Sequence, residues 1–215
     1  MKKKAIIYDL DNTIYSVKTI GWELLAPLFK IVSEAGYQGE IDKIKVDLMS
    51  KPFQVVARKY RFGEALKQAC GNLLKQLTYK GKIETYEDYY EIKSIPSDRF
   101  LVTTGFNRLQ WSKIRALNIE NDFIEIHVVD PSNSPKTKKD VFRDILDRKY
   151  FTVEDLLVVG DDPQSEIKAG LELGIETVLY DRENEYPKTK ADFKINNFRE
   201  LKEWLIWKEM VCLKI

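Results

Sequence analysis

The stretch Lys4-Ala5-Ile6-Ile7-Tyr8-Asp9-Leu10-Asp11-Asn12-Thr13 sets an apolar run directly against two carboxylates spaced one residue apart. A short apolar run bounded by polar residues reads as a buried strand. At its end, Asp9 and Asp11 can turn towards the same side. Carboxylates held that close repel, and one pKa rises unless a cation lies between them. A fold keeps such a pair for chemistry, for a metal, or for both. The rest of the chain must therefore build a site at the end of a strand.

The same rhythm returns later. Phe100-Leu101-Val102 runs into Thr103-Thr104-Gly105, and a helix follows from Asn107 to Leu117. Ile124 to Val129 ends in Asp130-Pro131, and a polar loop leads to Lys136 and a helix through Leu146. Leu156-Leu157-Val158-Val159 ends in Gly160-Asp161-Asp162, with a helix from Gln164 to Leu173 closed by Gly174. Ile175 to Tyr180 is a further strand, Asp192 to Ile195 a short edge strand, and Phe198 to Met210 an amphipathic helix. Strands that are unbroken apolar runs, alternating with helices, predict a parallel sheet covered on both faces. In such sheets, ligands bind beyond the carboxyl ends of the strands. Asp9, Asp11, Thr103, Thr104, Asp130, Lys136, Asp161 and Asp162 all fall there.

Between the first and second strands the apolar spacing is helical. Gly21 to Ala35, Ile41 to Met49, Phe53 to Arg61 and Glu64 to Leu77 read as four helices. The tyrosine-rich stretch Tyr79 to Tyr90 fits no pattern. The reading is an α/β core of residues 1–16 and 97–215, Rossmann-like, with a helical module of residues 17–96 inserted into it.

Composition narrows the partners. Lysine and arginine number 35 against 34 acids, a net charge of +1, which gives no electrostatic reason for a nucleic-acid partner. The chain holds two cysteines, Cys70 and Cys212, far apart and in no CxxC pair, so neither a disulfide framework nor a thiolate zinc site is expected. Lys2, Lys3 and Lys4 precede an apolar run that is too short for a signal peptide and is broken by Asp9 and Asp11. No stretch is long enough to span a bilayer. A cytoplasmic protein without a membrane partner is expected. The sequence has no GxSxG elbow and no GxxxxGK[ST] loop, and His127, its one histidine, lies within a strand.

Carboxylates from separate strands suit Mg2+, which takes few protein carboxylates and completes its shell with phosphate and water. One carboxylate can attack phosphorus, and a second can protonate the leaving alcohol and then activate water. Hydroxyl and backbone N–H groups at Thr103-Thr104-Gly105 can hold phosphate oxygens. A lysine offsets the crowding of negative charge.

These residues resemble the haloacid dehalogenase-like (HAD) hydrolase superfamily. Its DxDxT motif matches Asp9 to Thr13, and its apolar strand ending in Thr or Ser matches Leu101-Val102-Thr103. Its lysine at a helix start is similar to Lys136, six residues before Phe142, and its GD followed by a further acid to Gly160-Asp161 with Glu166. The resemblance implies a Mg2+-dependent phosphatase acting on a small phosphorylated metabolite through an aspartyl phosphate. Asp9 would be the nucleophile and Asp11 the general acid/base. Thr103, Thr104 and Gly105 would hold phosphate, with Lys136 balancing charge. Asp9, Asp161 and the backbone carbonyl of Asp11 would bind the metal, with Asp162 and Glu166 as candidates for the outer shell. The inserted helices would form a cap of the C1 type. A phosphomutase on the same site and a non-catalytic binding protein are the other readings.

Overall fold

The computed structural model describes residues 2–37 and 39–212. Its centre is one parallel sheet of six strands: β1 (Ala5–Tyr8), β2 (Asp98–Thr104), β3 (Glu125–Val129), β4 (Leu156–Gly160), β5 (Glu176–Tyr180) and β6 (Phe193–Ile195). The order is β3-β2-β1-β4-β5-β6, and every neighbouring pair is parallel. The first strand therefore lies in the middle, flanked by β2 and β4. That position sets the ends of three strands side by side, where the strand order reverses direction.

Alternation along β1 divides the core. Ile6 and Tyr8 join one buried cluster with Leu101, Val159 and Tyr180, while Ala5 and Ile7 join the other with Phe100, Val102 and Val158. Each face has its own cover. Between β1 and β2 come α1 (Gly21–Leu24), α2 (Ala26–Glu34), α3 (Ile41–Ser50), α4 (Phe53–Lys59), α5 (Glu64–Gln76) and α6 (Tyr90–Lys93). The later strands are followed by α7 (Asn107–Leu117), α8 (Lys138–Lys149), α9 (Glu166–Leu173) and α10 (Phe198–Cys212). On one face, Ile114 of α7 and Phe198 and Leu201 of α10 pack with Leu28, Val32, Ile44, Val56 and Leu74 of the inserted helices. On the other, Phe142 and Ile145 of α8 pack with Ala169 of α9. Burying one such side chain contributes about 2 kcal/mol, and both faces of the sheet draw on it. The Rossmann-like α/β architecture expected from the sequence is the one present.

Two local readings change. The apolar pattern over Gly21 to Ala35 is not one helix but α1 and α2, broken at Leu25. Pro27 stands in the first turn of α2, where its missing N–H is no loss. In a continuous helix it would have cost a hydrogen bond. The unplaced tyrosine-rich stretch is mostly irregular chain, turning into α6 at Tyr90 and held by long-range bonds. Tyr79 N–H donates to Ser112 Oγ at 2.8 Å, Tyr86 N–H to the Ile14 carbonyl at 2.9 Å, and Tyr89 Oη to Asp122 at 2.9 Å. Among the described residues, no helix is long and apolar enough to cross a membrane.

Candidate active site

The chain beyond β1 stays paired for one more residue, because Asp9 N–H donates to the Val159 carbonyl at 3.0 Å. This fixes the Asp9 side chain at the carboxyl edge, nearly buried. Leu10 then anchors a turn through Ile14 N–H at 2.9 Å. Asn12 takes the left-handed conformation at φ 56°, which asparagine tolerates better than most residues. Asn12 Oδ1 accepts from Val17 N–H at 3.1 Å. Asp9 and Asp11 have different partners.

Asp9 Oδ1 lies 2.6 Å from Lys138 Nζ, and the same ammonium lies 2.7 Å from Glu166 Oε2. Single oxygens of Asp9, Asp161 and Glu166 all fall within 4.8 Å of one another. Thr13 Oγ1 donates to Asp161 Oδ1 at 3.4 Å. Three carboxylates thus face one ammonium. Burial, with Glu166 and Asp11 adding repulsion against the pull of Lys138, pushes the Asp9 carboxyl up to about 7. Burial and then Glu166 and Asp9 push Asp161 well above the ordinary carboxylate range. Burial alone would lower Lys138, but Asp9 and Glu166 more than offset it and raise its pKa. A hard-oxygen donor set with excess negative charge fits a divalent cation such as Mg2+.

Local structure explains how these residues meet. Thr137 caps α8, and its side chain and that of Asp140 satisfy each other's backbone N–H groups in a capping box. Lys138 is therefore the first helical residue and reaches the carboxylates, whereas Lys136 is exposed and lies outside the helix. The expectation for Lys136 is corrected on this point: the buried ammonium is two residues further on. Glu166, the first residue of α9, is 1% exposed. It enters because Gly160 has no side chain; a Cβ there would stand 2.3 Å from Glu166 Cγ. Asp162 is half-exposed and spends an oxygen on Gln164 N–H at 2.7 Å, while its own N–H donates to Glu166 Oε1 at 2.7 Å. Glu166 rather than Asp162 therefore joins Asp9 and Asp161.

Asp11 is surrounded by donors. Tyr15 Oη donates to Oδ1 at 2.6 Å, Gln110 Nε2 to Oδ2 at 2.9 Å, and Lys113 Nζ to both oxygens at 2.6 and 2.8 Å. Burial pushes this carboxyl up, but the Lys113 charge and the bonds from Lys113, Tyr15 and Gln110 outweigh it and hold the pKa below the ordinary range. Thr103 is buried and accepts from Gln110 Nε2 at 2.6 Å. Thr104 is exposed at the end of β2, and its carbonyl also accepts from Gln110 at 3.3 Å. Gly105 has φ 157°, and a Cβ there would press on the Gln110 side chain at 3.0 Å. Asp130 joins neither group. It accepts from Asn107 N–H at 2.9 Å and from Ser132 and Asn133, and so fixes the start of α7.

A family model for haloacid dehalogenase-like hydrolases matches residues 6–180. The chain belongs to the haloacid dehalogenase-like hydrolase family. Glyceraldehyde 3-phosphate phosphatase of Methanocaldococcus jannaschii is 23% identical over 221 residues, spanning 92% of this chain and 95% of that protein. The protein of the same name from Methanopyrus kandleri is 21% identical over 224 residues, spanning 92% and 95%. Among solved structures, the HAD-hydrolase YfnB from Bacillus subtilis, bound to magnesium, superposes with a TM-score of 0.67 at 19% identity, covering 95% of this chain and 99% of that one. L-2-haloacid dehalogenase from Xanthobacter autotrophicus superposes at 0.59 and 14% identity, covering 94% and 98%. The family resemblance thus holds, and this HAD hydrolase has the fold expected of it.

Lys138, Tyr15, Gln110 and Lys113 were not among the residues singled out from the sequence. A signal existed for the first: Thr137 followed three residues later by Asp140 marks a helix start and makes residue 138 the first inside. Gln110 and Lys113 stand three apart in a helix, hence on one face, shortly after the end of β2. That placement is their only sequence mark.

Proposed function

We propose that this HAD hydrolase is a Mg2+-dependent phosphatase of small phosphomonoesters. The observation that carries the reading is the division of labour at the end of β1. Asp9 sits against the Lys138 ammonium in a group of carboxylates short of positive charge, and Asp11 stands two residues on in a separate set of donors. The relatives named glyceraldehyde 3-phosphate phosphatase support the phosphatase class and make that three-carbon ester the first substrate to try.

Asp9, Asp161 and Glu166 would hold the metal, together with the Asp11 backbone carbonyl that the family resemblance implies. When bound there, Mg2+ neutralises carboxylate and phosphate charge. A carboxylate oxygen of Asp9 attacks phosphorus, and the bond to the leaving oxygen breaks. As substrate displaces one of its donors, the Asp11 carboxylate takes up a proton from solvent and passes it to that oxygen, so an alcohol departs and an acyl phosphate remains on Asp9. Asp11 then takes a proton from water, which attacks phosphorus, releases inorganic phosphate and restores the Asp9 carboxylate. Lys138 stays charged and offsets the crowding throughout. Thr103 Oγ1 accepts from Gln110, which leaves its own proton to donate to a phosphate oxygen. Residues 17–96 act as a cap that closes over the edge and gates water and substrate.

A dehalogenase releases halide, which needs no proton, so Asp11 would have no task there. The test is a panel of glyceraldehyde 3-phosphate, sugar phosphates, nucleotides and a 2-haloacid, with Mg2+ and then with chelator. Free phosphate released with Mg2+ and lost on chelation is expected. Halide release without phosphate release, or an isomerised sugar phosphate in place of free phosphate, would overturn the reading.

A further inference from the structure

We propose that Lys113 and Gln110 of α7, with Tyr15, are positioning residues that fix the Asp11 carboxylate relative to Asp9 and Thr103. The inference rests on the phosphatase reading for its kinetic consequence, but the geometry stands without it. An ionised carboxylate offers roughly four acceptor positions. Lys113 takes one on each oxygen, Tyr15 another on Oδ1 and Gln110 another on Oδ2. The set closes on itself, since Lys113 Nζ also lies 5.8 Å from the centre of the Tyr15 ring.

Burial makes this arrangement costly unless it orients something. Lys113 is 4% exposed, Gln110 2% and Tyr15 fully buried. A buried ion pair gives little net stability compared with apolar packing, and the neighbouring positions Leu109, Ile114 and Leu117 show that this helix packs apolar side chains readily. Gln110 does more than fill space. Its amide nitrogen bonds both Asp11 Oδ2 and Thr103 Oγ1, tying the acid/base residue to the phosphate-holding hydroxyl. Gly105 keeps room for that amide, and Asp130 fixes the first turn of the helix that carries it.

The filled carboxylate also has no position left for the proton it must hand to a leaving-group oxygen, or for a bond from water. Substrate must displace one donor, and Gln110 is the one that can let go while still bonded to Thr103. The donors therefore set both where Asp11 rests and which way it turns.

The test compares wild type with Lys113→Met, Lys113→Arg and Gln110→Met on glyceraldehyde 3-phosphate and on p-nitrophenyl phosphate with Mg2+. A misplaced acid/base group is expected to cost Lys113→Met on the order of 100-fold in kcat on the alkyl ester. KM should stay within about threefold, and p-nitrophenyl phosphate, whose leaving group needs no proton, should lose far less. Lys113→Arg should recover most of the rate. Equal losses on both esters, or a loss carried by KM, would overturn the proposal. Crystal structures of wild type and Lys113→Met give a reading independent of activity: the Asp11 carboxylate should leave its place beside Tyr15, and an unmoved carboxylate would overturn the proposal too. Should wild type hydrolyse neither ester, the phosphatase reading falls and the crystal comparison alone decides the positioning role. Gln110→Met carries the same comparison if Lys113→Met does not fold.

Discussion

Asp9 and Asp11 are the same residue type, two positions apart, and the molecule treats them in opposite ways. Asp9 shares one ammonium with Glu166 and has Asp161 close by, so burial and repulsion push its carboxyl up to about 7. Asp11 has an ammonium of its own and two neutral donors, and its pKa falls below the ordinary range despite burial. One site lacks positive charge and the other has its hydrogen bonds filled. Identity alone therefore does not set the role of a carboxylate; the charges delivered by distant segments do.

The largest effect separates the two directly. Asp9→Asn removes the attacking oxygen, so phosphate release should fall on the order of 10⁴-fold or more. Its melting temperature should hold or rise, since a crowded carboxylate is gone. Asp11→Asn keeps the nucleophile and should lose roughly 10²- to 10³-fold on alkyl esters, and much less on p-nitrophenyl phosphate. If the two variants show one and the same leaving-group pattern, the two carboxylates share a role and the contrast collapses.

A second pair of variants sharpens the Asp9 side. Lys138→Met should cost about 10²- to 10³-fold in kcat, the usual loss when one preorganised donor is removed from a charged transition state. Lys136→Met should stay within about twofold, as surface changes away from a site usually do. Steady-state phosphate release on both variants decides between them; a large loss at 136 with none at 138 would return the role to the residue first singled out from the sequence.

That two-residue shift shows how the sequence speaks. Strand ends were legible because an apolar run that stops abruptly in acids has few other readings. Helix register was harder: three lysines crowd positions 136 to 139, and distance from strand three does not choose among them. The capping box of Thr137 and Asp140 does choose, by fixing the first helical residue. Glu166 was named from the sequence as the acid after Gly160-Asp161, and the missing side chain of Gly160 makes its room. Gln110 and Lys113 were not, because in an amphipathic helix a glutamine and a lysine read as the solvated face. Here that face looks at the polar edge beyond the strands. Among the inserted helices, periodicity placed α3, α4 and α5 to within two residues. The path of residues 79–89 rests on bonds to Ile14, Ser112 and Asp122 that no local pattern contains.

The smallest effect tests whether a donor-ringed carboxylate outside the site does nothing but stabilise. Asp47 of α3 resembles Asp11 in its partners: Lys51 Nζ at 2.6 Å, Lys59 Nζ, and Tyr60 Oη at 2.9 Å. Bonds from Lys51 and Lys59 hold its carboxyl down at about 2. A depressed folded-state pKa gives stability that is complete above the unfolded value near 3.9. That stability is lost as pH falls from there through about 2. Because both lysine side chains are about half exposed, solvent screens the pairs and the contribution is about 1 kcal/mol. Asp47→Asn should therefore lower the melting temperature by about 2–4 °C at pH 7. Wild type and variant should converge as the pH drops towards 2, with phosphate release at pH 7 unchanged. Urea melts at pH 7 and at low pH check the sign. A gap of equal size at both would mean that Asp47 acts through packing rather than charge, and the likeness to Asp11 would then be one of shape alone.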